Sequence, residues 1–230
     1  MAGGEAREVS AGVYLVGGPG ITDPSDCLIY AVDGEEEIAL VDCGAGRSVV
    51  EILENLDRLG LGAKPIAALI LTHCHVDHIG GAGEFLRRRA ATVVCHRGDL
   101  EAIESGDPRK TASSWYGVRL PGTRVDRVLE EEQEVLEVGS AKLQCIHTPG
   151  HTPGSISVVW ERPEGKVLFG QDIHGPFMEE FGSDLAQWAS SMRKLLALKA
   201  DLLCEGHFGT FQPATEVEGF ILRQLREHGF

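Results

Sequence analysis

The feature that most constrains this chain is a cluster of metal-type side chains at residues 73–78, directly after the apolar run 66–71. It holds three histidines and an aspartate. His73 and His75 are two positions apart, so in an extended chain both side chains point to the same side. On a helix the two would diverge. We therefore expect a strand that ends in a loop, with the aspartate and the third histidine placed after the chain begins to turn.

Neutral imidazoles and a carboxylate that converge on one point are the ligand set of zinc or a related divalent metal. The alternative is a polar surface loop that is rich in histidine. That alternative would suffice for a lone histidine, but it does not explain three of them beside an aspartate at a strand end. The cluster therefore predicts a metal site.

Composition narrows the class of protein. The 230 residues suffice for one large domain or two small ones, and no linker-like tract divides them, so we predict a single domain over residues 1–230. The formal net charge of −14 argues against a nucleic-acid partner, which would require a basic face. The sequence has no apolar run of membrane-spanning length and its first residues lack a secretory signal, so we expect no membrane partner and a cytoplasmic location. The six cysteines contain no paired Cys-x-x-Cys motif, and we interpret them as small buried side chains.

The pattern along the chain indicates two groups of strands, each followed by helices. Short strand-like runs dominate both halves, whereas apolar residues recur at helical spacing over residues 48–59, 184–199 and 215–227. This order predicts two sheets with helices outside them. Residues 105–124 are weakly patterned, and we expect an irregular loop there that overhangs the site.

Three later strand exits add metal-type residues. His151 lies in a loop with two prolines and two glycines, Asp172 ends an apolar strand, and His207 follows Gly206 after another strand. Binding sites are commonly built at such strand exits.

Taken together, the motif at residues 72–78, the loop at residues 148–152, Asp172 and the pair Gly206–His207 resemble the metallo-β-lactamase superfamily in the family's own order. The likeness spans nearly the whole chain. It implies an α+β (α/β) fold, a four-layer αββα sandwich with metals at one edge between the sheets.

The resemblance also implies roles for individual residues. His73, His75 and His151 would hold a first metal, Asp77, His78 and His207 a second, and Asp172 would bridge both. Asp77 would also be catalytic. Asp42 resembles an aspartate of the family that orients ligands, although a turn-former before Gly44 would read the same way. Candidates for substrate binding are His174, Trp115, Tyr116 and Phe177, and ordinary packing would equally explain the three aromatic residues.

The implied activity is hydrolysis of an ester-type bond, a lactone or a thioester, by a hydroxide that two divalent metals generate. Zinc is the expected metal, with iron or manganese possible, and the partner is a small-molecule substrate. The alternative is an oxidoreductase that resembles persulfide dioxygenases, in which His73, His151 and Asp172 hold a single iron. The segment after Asp172 departs from that branch. The sequence leaves the substrate and the oligomeric state open.

Overall fold

The computed structural model describes residues 4–230 and contains two mixed β-sheets with helices on their outer faces. The first half comprises β1 (Arg7–Ser10), β2 (Val13–Gly17), β3 (Ile29–Asp33), β4 (Ile38–Val41), α1 (Val49–Arg58), β5 (Ile66–Ile70), α2 (Val76–Ile79), α3 (Ala82–Arg88), β6 (Thr92–His96), α4 (Arg97–Ser105) and β7 (Arg127–Leu129). The second half comprises β8 (Gln133–Val138), β9 (Ala141–His147), β10 (Ile156–Arg162), β11 (Gly165–Gln171), a 3₁₀ turn (Glu179–Phe181), α5 (Leu185–Ala197), β12 (Leu202–Glu205), β13 (Thr210–Phe211) and α6 (Ala214–Glu227).

The two sheets divide the chain almost in sequence order. Strands β1 to β7 lie side by side in the first sheet, and the second sheet has the order β13-β12-β11-β10-β9-β8. Strands β4 to β7 are parallel, as are β11 and β12, whereas the remaining pairs are antiparallel.

Alternation along the buried strands creates the layers. In β3, Ile29 and Ala31 pack with residues of α1 and α3, whereas Tyr30 and Val32 pack with residues of the second sheet. Side chains on opposite faces of one strand therefore enter two different cores. A third core joins the second sheet to α5 and α6. Three cores between four layers make the predicted αββα sandwich, and the fold expectation is confirmed.

The direction of the strands brings the predicted site residues to one edge. Strands β4 and β5 are parallel, so their carboxyl ends, which lead into Asp42 and His73, lie together. In the second sheet β9, β11 and β12 run in one direction, and their exits lead into His151, Asp172 and His207.

Two local features are not apparent from the sequence patterns. The chain between β5 and β6 forms two helices, α2 and α3, since it turns again at Gly80 and Gly81. The short strand β13 follows the expected ligand His207, where the sequence pattern showed no strand. No helix among residues 4–230 is long and apolar enough to cross a membrane.

Candidate metal centre

Three histidine nitrogens converge at the first group. The chain leaves β5 at Ile70 and bends at His73, and His75 is the residue that caps α2. His73 Nε2 lies 3.1 Å from His75 Nδ1, and His151 Nε2 lies 2.9 Å from the same His75 atom. All three side chains are buried. The loop that carries His151 therefore meets the first motif from the other sheet.

The second group lies one helical turn away. Asp77 and His78 occupy the first turn of α2, and His207 approaches from the exit of β12. His207 Nε2 lies 3.3 Å from Asp77 Oδ2, and His78 Nε2 lies 3.6 Å from that oxygen.

Asp172 lies between the groups and turns one oxygen toward each. Its Oδ1 is 3.2 Å from His78 Nε2 and 3.3 Å from His207 Nε2. Its Oδ2 is 3.8 Å from His73 Nε2 and 3.7 Å from His151 Nε2. One carboxylate therefore faces both sets of ligand atoms.

The hydrogen bonds of two histidines show that lone pairs point into the cluster. His151 Nδ1 lies 2.7 Å from the carbonyl oxygen of Pro176, and His78 Nδ1 lies 2.7 Å from Asp42 Oδ2. Both oxygens only accept, so each Nδ1 must donate. The Nε2 atoms on the inner side are then free to bind a cation, and such outer partners are the usual support of metal-binding histidines.

Burial and missing partners also fit a cation. Burial lowers the pKa of His75 and of His151 to about 3, so both rings are neutral near pH 7, as metal binding requires. Within residues 4–230, His78 Nε2 and Asp172 Oδ1 are buried and lie 3.2 Å apart, but neither atom makes a hydrogen bond. Buried polar atoms without partners are uncommon in folded proteins. The donor set of imidazoles and carboxylates matches zinc.

Asp42 supports the predicted ligands through hydrogen bonds to Thr72 and His78. It is fully buried and adopts φ +64°, a conformation that aspartate tolerates better than most residues. Its Oδ1 accepts from the Thr72 backbone N–H at 2.8 Å, and its Oδ2 accepts from the Thr72 hydroxyl at 2.8 Å and from His78. Gln171 also donates to Oδ2. The carboxylate therefore orients one predicted ligand and ties the first motif to β11.

Asp99 is a residue that the sequence reasoning missed. Its Oδ2 accepts from the Cys74 backbone N–H at 2.8 Å and from the Thr152 hydroxyl at 2.7 Å, and its Oδ1 accepts from the Gly154 N–H at 2.8 Å. Cys74 lies between two predicted ligands, and Thr152 follows a third. Asp99 therefore joins the two loops that form the first group. Its position at the start of a helix gave no sign of this contact.

Cys27 also lies closer to the site than its apolar surroundings suggested. Its sulfur and single atoms of Asp42 and His78 are all within 4.8 Å of one another. Burial raises the pKa of the Cys27 thiol, which favours the neutral form.

The predicted substrate residues separate into two sets. Trp115 is 52% exposed, and its Nε1 donates to Glu180 at 2.9 Å. The indole packs on Phe181 with ring centroids 5.0 Å apart, and Phe181 packs on His75 with ring centroids 4.3 Å apart. Burial, followed by the charge of Asp77, raises the pKa of the Tyr116 phenol, so this hydroxyl is a neutral donor beside the second group.

The other two predicted residues belong to the loop after β11. Phe177 packs on Trp188 at 5.0 Å, within the third core, and its ring centroid is 6.3 Å from that of His151. His174 lies beside His207 with ring centroids 5.5 Å apart, and its Nδ1 is 2.5 Å from Glu205 Oε1.

Comparisons with known proteins agree with this architecture. The chain is 29% identical to the acyl-coenzyme A thioesterase MBLAC2 of Bos taurus, over 80% of this chain and 73% of that protein. It is 27% identical to the hydroxyacylglutathione hydrolase GloC of Haemophilus influenzae, over 78% of this chain and 83% of that protein. The structure superimposes on BJP-1, a subclass B3 metallo-beta-lactamase of Bradyrhizobium japonicum, with a TM-score of 0.82 and 20% identity, over 99% of this chain and 93% of that chain.

The likeness to BJP-1 concerns the fold, since the sequence identity is low. Residues 22–207, which include every predicted ligand, match the metallo-beta-lactamase superfamily as a family. The chain therefore belongs to the metallo-beta-lactamase superfamily.

Proposed function

We propose that this protein is a binuclear metal-dependent hydrolase that cleaves an ester-type bond, with a thioester as the preferred substrate class. The observation that carries the proposal is the position of Asp172, whose two oxygens face two separate groups of ligand atoms. His73, His75 and His151 would hold one ion, Asp77, His78 and His207 the other, and Asp172 would bridge them. Zinc suits this donor set best.

Two divalent ions bound there would acidify a water so that it attacks near neutral pH, and would polarise the scissile carbonyl. The chain's own residues supply orientation and proton handling. Asp77 Oδ2 lies within 3.3 Å of His207 and at the edge of the second group, where a carboxylate can accept the proton of the attacking water. Asp42 and Asp99 hold the ligand loops rigid, which keeps the reacting groups in register.

The thioester preference rests on the relatives and on the wall of the site. The two relatives named above for their sequence identity are an acyl-coenzyme A thioesterase and a hydroxyacylglutathione hydrolase, whereas the likeness to the lactamase BJP-1 concerns the fold alone. Phe181 and the exposed ring of Trp115 form an apolar surface against His75, which suits an acyl chain. Tyr116 would offer its neutral hydroxyl to the substrate.

Metal analysis and a substrate panel test the proposal together. The protein, purified without added metal, is expected to contain zinc near two ions per chain and to hydrolyse thioesters, with lactones tested in parallel. Asp77→Ala should lose the second ion and most turnover while keeping its thermal unfolding cooperative. Glu101→Ala, which removes a carboxylate that is 86% exposed, is the matched control and should behave as the wild type.

Two results would overturn the proposal. Full activity in Asp77→Ala would remove the second metal from the reaction. One iron per chain, with oxygen consumed when a persulfide is added, would support a persulfide dioxygenase instead of a hydrolase. In that enzyme His73, His151 and Asp172 would hold the iron.

A further inference from the structure

Glu205 is a buried carboxylate that the hydrolytic centre described above does not use. It is the last residue of β12 and is 0% exposed. Its backbone N–H donates to the carbonyl oxygen of Gly209 at 3.0 Å, and its own carbonyl accepts from the Tyr30 hydroxyl at 3.1 Å. A charge in such a place is tolerated only when its oxygens are well paired.

The two oxygens of Glu205 have different partners. Oε2 accepts from the backbone N–H groups of His207 at 2.7 Å and Phe208 at 2.8 Å, and so fixes the turn that presents His207. Oε1 accepts from His174 Nδ1 at 2.5 Å. Stabilising the turn explains the first oxygen only. The second oxygen controls the orientation of a histidine on another loop.

The hydrogen bond to Glu205 sets the tautomer of His174. A carboxylate only accepts, so the ring must carry its proton on Nδ1, and in the neutral ring Nε2 then holds a lone pair. The Nδ1 side of the ring is against Glu205, and the side chain is 18% exposed. His174 is also packed edge-on against His207 and against Phe208, which is 61% exposed. An acceptor atom is therefore held at the rim of the second group of ligands.

We propose that Glu205 is a positioning residue and that His174 Nε2 accepts a hydrogen bond from an amide N–H on the thiol side of the substrate. This inference rests on the proposed thioesterase function and names its substrate class. Coenzyme A and glutathione thioesters, the classes named for the two relatives, share one such group: an amide nitrogen on the second carbon from the sulfur. A fixed acceptor beside the centre selects for thiols of this kind and against thiols that lack the N–H.

A pair of matched thioesters isolates this hydrogen bond. One is the thioester of N-acetylcysteamine; the other carries the same acyl group on 5-mercaptopentan-2-one, in which a methylene replaces the N–H. We expect the wild-type protein, loaded with zinc, to prefer the amide in kcat/KM by about threefold to tenfold, the contribution of one neutral hydrogen bond.

Two variants separate positioning from structure. In His174→Asn the side-chain amide can still donate to Glu205 Oε1, but the Nε2 acceptor is gone. The ratio of kcat/KM between the amide thioester and the ketone thioester should fall to about one, because only the amide thioester is cleaved less efficiently. In Glu205→Gln the amide oxygen must serve the two backbone N–H groups, so its NH₂ faces the ring and forces the proton onto Nε2. The same loss of preference is expected although the histidine is still present.

Nitrogen NMR of ¹⁵N-histidine-labelled protein, with and without zinc, reads the tautomer independently of activity. The His174 signal is assigned by its loss in His174→Asn. Protonated Nδ1 in the wild type and protonated Nε2 in Glu205→Gln support the inference. Protonated Nε2 in the wild type, or equal rates for the two thioesters, would overturn it while leaving the hydrolase intact. Equal losses for both substrates in His174→Asn would make His174 a structural residue and overturn it as well. Failure to cleave either thioester would instead refute the thioester preference of the proposed function, on which this inference rests.

Discussion

Gly206 offers a way to disturb the predicted metal bridge without changing a ligand. This residue lies between the positioning residue Glu205 and the predicted ligand His207. A β-carbon built on Gly206 would lie 2.5 Å from Asp172 Oδ1 and 3.3 Å from His78 Cε1. Its backbone is not in the left-handed region, so alanine is compatible with the local conformation and the clash alone is tested.

The displacement follows from these distances. Real β-carbons are essentially never closer than 3.0 Å to another heavy atom, so Asp172 Oδ1 must move by about 0.5 Å in Gly206→Ala. Metal–ligand distances tolerate only about 0.2 Å. The buried Asp172 has little room to adapt, because its Oδ1 already lies 3.2 Å from His78. We expect the second zinc to bind about 10- to 100-fold more weakly, or about 1.4–2.8 kcal/mol.

Zinc titration of the metal-free protein by calorimetry measures this change, and metal analysis after dialysis gives the stoichiometry. Gly219→Ala is the matched control: no atom lies within 4 Å of its added β-carbon, and it sits inside α6, where alanine stabilises a helix by up to about 1 kcal/mol. Two tight zinc sites of wild-type affinity in a folded Gly206→Ala protein would show that Asp172 Oδ1 does not bind metal.

Three further predictions address the supports of the site. Asp99→Ala leaves the buried N–H groups of Cys74 and Gly154 without an acceptor and the Thr152 hydroxyl with Ser155 alone, so the free energy of unfolding should fall by about 2–5 kcal/mol and the first zinc should bind more weakly; a wild-type midpoint in urea would contradict this. Burial and then the stacked His147 lower the pKa of His96 to about 4, below its unfolded value of about 6.5. As the pH falls, the unfolded chain is therefore protonated at this position before the folded chain. The contribution of neutral His96 to the free energy of unfolding is complete above about pH 6.5 and is lost as the pH falls toward 4. When the pH is lowered from about 7 to about 5, the free energy of unfolding of the wild type should fall by about 1–2 kcal/mol more than that of His96→Asn, whose side chain can still cap α4. The same fall in both proteins, measured by urea unfolding at the two pH values, would refute this. Removal of zinc by a chelator should lower the free energy of unfolding by about 2.7 kcal/mol for each site that is held at zinc 100-fold above its dissociation constant, and unchanged unfolding would argue against binding to the folded state.

Local patterns were enough to predict the layers. Apolar spacing distinguishes the helix α1 from the strand β5, because side chains repeat every 3.6 residues on a helix and every two on a strand. Local patterns determined the helix boundaries less well. The break between α2 and α3 at Gly80 depends on close contact with the backbone of Ala45. That contact is between segments far apart in the sequence.

The predicted ligands were recognisable because each is a metal-type residue at a strand exit, in an order that resembles one family. Their supporting residues were not. Asp99, Cys27 and Glu205 occur in ordinary helix and strand patterns, and nothing in their neighbours marks them as part of a site. Each acquires its place near the centre from a partner on another element: a loop N–H, a histidine of α2, or the ring of His174.

Sequence alone therefore determined the cluster at residues 73–78, the two-sheet class and the family resemblance, since these depend on spacing along the chain. Only the tertiary structure decided which oxygen of Asp172 faces which group, which histidine nitrogen points inward, and that Phe177 packs in a core. Those properties depend on the distance and angle between side chains of different strands and loops. Packing of the two sheets fixes them, and no local pattern encodes them.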